Sequence, residues 1–338
     1  MNGIVFGLEG VNAVEPINGH QILDQNYDQP HEIIKAVVSN VEKVIVGKSD
    51  AVHLCLTALL AGGHVLLEDV PGVGKTMLVK ALAKSLGCSF KRIQFTPDLL
   101  PSDVTGVSIY NQKTQEFEFR PGPIMANVVL ADEINRTSPK TQSALLEAME
   151  EGGVTVDGTT HVLQKPFMVM ATQNPIEYEG TFPLPEAQLD RFLLKIRLGY
   201  PSESDEFNIL SRQIKGNPIE TIEQVIDLEG LQKMQEAVFR VHVDNSLREY
   251  IVKIAASTRE NRHIYLGVSP RGSIALLRAS MALAFILGRD YVVPDDIKRL
   301  VPYTFGHRII PSSESRLSGI TVDSLLQDAM RSIPVPVL

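Results

Sequence analysis

The stretch that most constrains this chain is the loop DVPGVGKT at residues 69–76. An apolar run at residues 64–68 precedes it and predicts a short buried strand, and residues 77–86 carry leucine and alanine at helical spacing. A strand, a glycine loop and a helix beginning in Gly-Lys-Thr form the context that a phosphate-binding loop requires. We therefore predict that Lys75 reaches the β- and γ-phosphates and that the Thr76 hydroxyl is a ligand of Mg²⁺.

The loop departs from the usual pattern at one position. Glycine usually stands five residues before the Gly-Lys pair, and here that residue is Asp69. Aspartate adopts unusual backbone angles more readily than most residues, and Pro71-Gly72 still predicts a turn. We interpret the loop as a variant of the phosphate-binding pattern. The alternative is a structural turn that happens to contain Gly-Lys-Thr.

A second signature is the apolar run at residues 128–131, which ends in Asp132 and Glu133. The run predicts a strand buried on both faces, so both acids lie at its carboxyl end, where open α/β sheets hold ligands. We expect Asp132 to hold Mg²⁺ through its water shell and Glu133 to polarise water as a general base. A carboxylate placed to activate water indicates hydrolysis. The alternative is a charged strand end that faces solvent.

Three further polar residues are candidates for the same chemistry. Asn174 follows a predicted buried strand at residues 167–171, where its amide can contact the γ-phosphate or the attacking water, although a plain turn residue would look the same. Arg191 is either the ion-pair partner of a nearby acid or a charge offered across a subunit boundary. Arg271 lies in the first turn of a predicted helix, where a cation opposes the helix dipole, so we expect a phosphate or a carboxylate beside it.

Composition limits the classes of protein to consider. The chain of 338 residues has 44% hydrophobic residues and a formal net charge of −8, which argues against indiscriminate nucleic-acid binding. Its two cysteines, Cys55 and Cys88, are predicted to be buried free thiols. The sequence shows no zinc pattern, no membrane span and no secretion signal, so we expect a cytoplasmic protein.

The remaining pattern predicts how the chain is divided. Residues 1–30 show no periodicity and are expected to form a flexible extension, residues 31–199 an αβα domain, and residues 203–338 a mostly helical second domain. Residues 96–102 are expected to be irregular. Hairpins are predicted at residues 105–119 and 153–163, and the first is either an insertion that carries contacts or a packed decorative loop.

The motifs together resemble the MoxR family of AAA+ ATPases, over about residue 30 to the C-terminus. Beside the phosphate loop they are LADEINR at 130–136, ATQNP at 171–175, LPEAQLDRF at 184–192 and SPR at 269–271. The resemblance implies an α/β fold, with a P-loop NTPase (AAA+) αβα core built on a parallel sheet and followed by a small all-helical lid domain. It also implies ATP and Mg²⁺ as ligands and assembly into hexameric rings.

The resemblance also assigns roles to individual residues. It implies that Lys75, Thr76, Asp132, Glu133 and Asn174 are the Walker A, Walker B and sensor 1 residues. It places Arg191 where an arginine finger enters a neighbouring site and Arg271 where the sensor 2 arginine lies, in cis or in trans. The role of Arg136 stays open. The residues expected around the nucleotide are Val46, Gly47, Pro71, Gly72, Val73, Gly74, Lys75, Thr76 and Met77.

Several functions fit these expectations. The first is an ATP-driven machine that remodels or matures protein complexes, often alongside partners with von Willebrand factor A domains, as the resemblance implies. A second is the ATPase subunit of a magnesium-chelatase-like complex, and a third is a DNA-directed motor, against which the acidic balance weighs. A nucleotide-dependent scaffold that barely turns over is the fourth, and the presence of Glu133 and Arg191 argues against it.

Overall fold

The computed structural model describes residues 30–174, 180–214 and 216–336. The predicted N-terminal extension therefore lies outside the described residues, except for Pro30, which begins the first helix. The α-helices among the described residues of the N-terminal half are α1 Pro30–Glu42, α2 Ser49–Leu60, α3 Lys75–Ser85, α4 Pro101–Thr105, α5 Pro139–Glu151 and α6 Glu186–Leu189.

A parallel sheet of five strands forms the centre of this half, in the order β2-β5-β8-β1-β9. The strands are β1 Val65–Glu68, β2 Phe90–Gln94, β5 Val128–Asp132, β8 Met168–Gln173 and β9 Leu194–Ile196. The two predicted hairpins are confirmed as β3 Gly106–Asn111 with β4 Glu116–Pro121, and as β6 Gly153–Val156 with β7 Thr159–Val162.

Apolar side chains cover both faces of this sheet, which explains the continuous apolar runs in the sequence. Successive residues of a strand point to opposite faces, so Leu67 packs in one buried cluster and Leu66 in the other. The first cluster continues into the C-terminal helices, where it includes Leu283 and Ile297. The core and the helical region therefore share a continuous apolar interior.

The C-terminal half is mainly helical, as predicted. Its helices are α7 Glu203–Ile214, α8 Leu228–Val238, α9 Asn245–Glu260, α10 Pro270–Ile286, α11 Pro294–Phe305, α12 Ser313–Leu317 and α13 Val322–Ser332. A small antiparallel sheet of β10 Ile264–Leu266 and β11 Ile310–Pro311 accompanies them, so the expectation of helices alone missed two short strands. These strands are too short for alternation to be visible in the sequence.

One segment predicted to be irregular begins a helix. α4 starts at Pro101, inside residues 96–102, and the Asp103 carboxylate accepts a hydrogen bond from the Leu100 N–H at 2.9 Å. Proline is favoured in the first turn of a helix, and an acid at the third position caps the exposed N–H groups. The expectation of an irregular segment did not take into account that Pro101 can begin a helix.

Cys55 and Cys88 are buried free thiols, as predicted, and burial raises the pKa of each to about 12. Among the described residues, none of the helices is long and apolar enough to cross a membrane.

His64 is a buried histidine that immediately precedes strand β1. Its Nδ1 accepts a hydrogen bond from the Val169 N–H at 2.9 Å, and its Nε2 lies 3.2 Å from the Met149 carbonyl oxygen. The ring is therefore neutral with its proton on Nε2, and burial lowers its pKa from 6.5 to about 4. Between these two values the unfolded chain binds a proton that the folded chain does not, so the free energy of unfolding falls as the pH falls.

We expect His64→Gln to reduce this acid destabilisation by about 1 kcal/mol between about pH 7.5 and 5.5. The measurement is the free energy of unfolding by urea at both pH values. His307, which is also buried with a lowered pKa, leaves part of the pH dependence in place. His242→Gln is the control because His242 is exposed. An unchanged pH dependence in the His64 variant would contradict the assignment of a buried neutral ring.

Candidate active site

The loop between β1 and α3 has the backbone geometry of a phosphate cradle. Gly72 and Gly74 have φ angles of 87° and 94°, a region that glycine enters without strain. A Cβ built on either residue would meet no atom within 4 Å, so the loop surface is open at both positions. α3 begins at Lys75, and the N–H groups of its first turn are available to an anion.

Lys75 lies against the loop that precedes it. Its Nζ donates to the carbonyl oxygens of Asp69 at 2.7 Å and Val70 at 3.0 Å. Partial burial lowers the pKa of Lys75, while the carboxylates of Asp69, Asp132 and Glu133 act in the opposite direction. The Lys75 ammonium group therefore lies near three carboxylates, whose negative charge favours its protonated form.

The unusual residue Asp69 has a structural role that its position in the sequence does not reveal. Its carboxylate accepts hydrogen bonds from the N–H groups of Leu198 and Gly199, just beyond the edge strand β9. Its own N–H donates to the Gln173 carbonyl oxygen at the end of β8. Asp69 thus ties the start of the phosphate loop to the segment that leads into α7.

The two acids at the end of β5 are oriented by one buried threonine. The Thr172 hydroxyl donates to Asp132 Oδ1 at 2.6 Å and accepts from the Glu133 N–H at 2.8 Å. Glu133 has a φ of 59°, a left-handed conformation that costs a glutamate about 1 kcal/mol or more. Strained backbone conformations are common at catalytic residues. Here the hydrogen bond to Thr172 stabilises the left-handed conformation of Glu133.

The neighbouring strand β2 contributes two polar side chains to the same acids. Arg92 donates from Nη2 to Asp132 Oδ2 at 2.6 Å, and Gln94 donates from Nε2 to Glu133 Oε2 at 2.7 Å. The Nε atom of Arg136 lies 3.3 Å from the same Glu133 oxygen. The sequence pattern did not indicate Arg92, Gln94 or Thr172 as site residues. Arg92 and Gln94 are two residues apart on β2, so their side chains point to the same face of the sheet. This spacing indicates a shared site only once β2 is known to lie beside β5.

These elements enclose a cavity of about 350 Å³. It brings together most of the predicted phosphate, metal and water-activating residues. The lining residues are Pro71, Gly72, Gly74, Lys75, Thr76, Met77, Arg92, Gln94, Asp132, Glu133, Thr172 and Asn174.

A second cavity of about 210 Å³ adjoins the first through Gly72, Gly74 and Met77. Predominantly apolar side chains line it, among them Val44, Ile45, Val46, Val73, Met77 and Ile209. Gly47 follows Val46 with a φ of 69°, and a side chain there would overlap the Asp205 carboxylate of α7. The two cavities have the polarity that a triphosphate and an adenine base would require.

The residues present fit a nucleotide with Mg²⁺. Thr76 and Asp132 would hold the ion, and the loop glycines leave room for phosphate oxygens. Within the described ranges, no group of three or more histidine, cysteine or acidic side chains could hold a metal by itself.

The two remaining candidate residues, Arg191 and Arg271, lie elsewhere. Neither of them lines the phosphate-loop cavity or the adjoining apolar cavity. Both pair with Glu150 in the last turn of α5, with Arg191 Nη2 at 3.0 Å from Oε2 and Arg271 Nη2 at 3.0 Å from Oε1. The structure thus places a carboxylate beside Arg271, which is one of the two partners expected from the sequence.

The two hairpins lie side by side away from these cavities. The Phe119 ring of the first stacks on the His161 ring of the second, with centroids 3.7 Å apart and planes 14° apart. At the outer end of the first hairpin, Tyr110 and Phe117 form an edge-to-face pair at 5.3 Å, and both are largely exposed. The hairpins therefore form one unit that presents aromatic side chains to solvent.

Comparisons with known proteins agree with this geometry. Residues 64–194 match the family described as "ATPase family associated with various cellular activities (AAA)", and residues 256–329 match "AAA lid domain". The chain is 62% identical to the protein YeaC of Bacillus subtilis over 91% of this chain and 96% of YeaC. It is 40% identical to Chaperone MoxR1 of Mycobacterium tuberculosis over 90% of this chain and 82% of that protein.

The fold also matches a solved structure of a candidate ATPase from Cytophaga hutchinsonii. The TM-score is 0.85 at 40% sequence identity, and the match covers 91% of this chain and 96% of the other. Sequence and structural similarity thus extends along nearly the whole chain, which includes the phosphate loop, the parallel sheet and the helical C-terminal region. The chain belongs to the MoxR family of AAA+ ATPases.

Proposed function

We propose that this chain is a Mg²⁺-dependent ATP hydrolase that assembles into a ring and that remodels or matures protein complexes. The observation that carries the proposal is the convergence of Lys75, Thr76, Asp132, Glu133 and Asn174 on one cavity. The division into a nucleotide-binding domain at residues 31–199 and a lid at 203–338 is part of this proposal.

Each residue of the cavity has a role that follows from its chemistry. The loop N–H groups and Lys75 would bind the phosphates, and Thr76 and Asp132 would hold the metal. When bound, Mg²⁺ would neutralise part of the phosphate charge. Glu133 accepts a proton from water, and its orientation is fixed by the hydrogen bond from Gln94 at 2.7 Å. Asn174 orients the water or the γ-phosphate.

The positions of Arg191 and Arg271 support a site that a neighbouring copy completes. Phosphoryl transfer needs positive charge at the γ-phosphate, and an arginine supplied in trans is a common source of it. In this chain both arginines lie together at Glu150, outside the lining of their own cavity. We propose that both act on the nucleotide of the adjacent copy and that the ring is a hexamer.

The chaperone-like role rests on relatives and on one surface. A relative is named Chaperone MoxR1, and the exposed aromatic pair Tyr110–Phe117 offers an apolar contact for a protein client. A partner with a von Willebrand factor A domain and a cytoplasmic location belong to the same proposal.

The proposal predicts that assembly depends on nucleotide. We expect the wild-type mass, measured by light scattering, to rise to that of a ring when Mg²⁺ and a non-hydrolysable ATP analogue are added. Lys75→Ala should abolish the shift, because the ammonium group that binds the phosphates is lost. Lys80→Ala, a change at an exposed lysine of the same helix, is the control. A wild-type protein that hydrolyses ATP while remaining a monomer would contradict the proposal.

A further inference from the structure

We propose that Glu150 is a positioning residue for hydrolysis in the neighbouring copy, because it holds Arg191 and Arg271 together as a unit directed at the γ-phosphate there. This inference rests on the proposed function. Glu150 was not among the residues singled out from the sequence, where it is one of several acids on an amphipathic helix.

Glu150 uses both of its carboxylate oxygens for this purpose. Oε1 lies 3.0 Å from Arg271 Nη2 and Oε2 lies 3.0 Å from Arg191 Nη2. The two arginines come from different parts of the chain: Arg191 lies two residues after the end of α6, and Arg271 lies in the first turn of α10. A single carboxylate between them sets their separation, which neither arginine could set alone.

Charge supports the same role. One carboxylate between two guanidinium groups leaves an excess of one positive charge, which another anion can neutralise. The guanidinium of Arg191 also has a buried Nε atom without a hydrogen-bond partner among the described residues. The side chains of Arg191 and Arg271 are 27% and 45% exposed, so each keeps donors accessible from outside the chain. The pair of arginines thus has both the positive charge and the accessible donors that are needed to bind a phosphate.

A second acid fixes the segments from which the arginines extend. Asp190, the residue before Arg191, accepts from Arg308 Nε at 2.6 Å and from the Ser269 hydroxyl at 2.9 Å. Ser269 is the N-cap of α10, the helix that carries Arg271. Asp190 therefore holds the two backbones together, and Glu150 holds the two side chains.

The test compares the ATPase rate of Glu150→Gln with that of Glu147→Gln, an exposed glutamate one turn earlier on α5. Glutamine keeps the shape of the side chain but removes the charge that holds both arginines. We expect the kcat of Glu150→Gln to fall by about tenfold to a hundredfold, since misplacing a catalytic group by about 1 Å has an effect of that order. The Kd for ATP and the melting temperature should stay at wild-type values. Glu147→Gln should keep the wild-type rate.

Mixing variants distinguishes positioning in trans from a role in the residue's own site. Glu150→Gln copies keep an intact cavity, and Glu133→Gln copies keep intact arginines, so we expect mixed rings to recover activity. Mixing Glu150→Gln with the double variant Glu133→Gln/Glu150→Gln should restore nothing. Recovery in both mixtures, or in neither, would overturn the inference.

Two outcomes separate the inference from the function on which it rests. A normal or increased rate in Glu150→Gln, with Arg191→Ala inactive, would show that Glu150 does not position the arginines, and the proposed function would stand. A normal rate in Arg191→Ala would instead overturn the proposed function itself.

Discussion

Glu133→Gln is expected to bind ATP with wild-type affinity and to hydrolyse it about 10²- to 10⁴-fold more slowly, the range for loss of a general base. The glutamine fills the same volume and can keep a hydrogen bond with Gln94, but it cannot accept the proton of the attacking water. Nucleotide affinity should persist because we assign phosphate binding to the loop at residues 71–76, which this substitution leaves unchanged. Binding of a fluorescent ATP analogue and the steady-state rate measure the two properties separately.

A control variant that loses the same charge far along the chain tests whether the effect is specific to Glu133. Glu260→Gln removes one negative charge from an exposed position on α9 and should leave the rate unchanged. If Glu133→Gln turned over at the wild-type rate, another group would have to activate the water, and the assignment of Glu133 would be wrong.

Arg191→Ala is expected to reduce the ATPase rate by about 10³-fold or more, the effect of removing an arginine from the γ-phosphate. For the wild type, the rate per copy should rise with protein concentration until assembly is complete, because we propose that the arginine comes from the neighbour. The rate of the variant should stay low at every concentration. Steady-state rates across a dilution series, with mass determined in parallel, provide the measurement.

Two further variants separate charge from geometry at this position. Arg191→Lys keeps the charge but loses the planar fork of donors, so its rate should stay well below that of the wild type. Arg278→Ala, an exposed arginine on α10, should behave as wild type. A wild-type rate in Arg191→Ala would indicate that each copy hydrolyses ATP without its neighbour.

Patterns that depend on nearby residues in the chain were predictable. The continuous apolar run before Asp132 indicated a strand buried on both faces, and β5 is such a strand. The apolar run of β8 likewise predicted a buried strand. The glycines before α3 predicted a loop with left-handed backbone conformations, which glycine adopts easily. Local sequence was sufficient here because burial and backbone conformation are set within a few residues.

Contacts that depend on strand order were not predictable. Gln94 reaches Glu133 because β2 lies beside β5, and Asp69 reaches Gly199 because β9 lies beside β1. Nothing in the local pattern states that order. The shared partner of Arg191 and Arg271 was hidden for the same reason, since Glu150 is distant from both along the chain.

The most direct test of a site shared between copies is to mix two inactive variants. Glu133→Gln copies carry intact arginines beside a disabled cavity, and Arg191→Ala copies carry an intact cavity without the arginine. With labelled copies confirming that subunits exchange, our account predicts that the mixture hydrolyses ATP far faster than the sum of the two proteins alone. A mixture that exchanges subunits and still shows only that sum would contradict it.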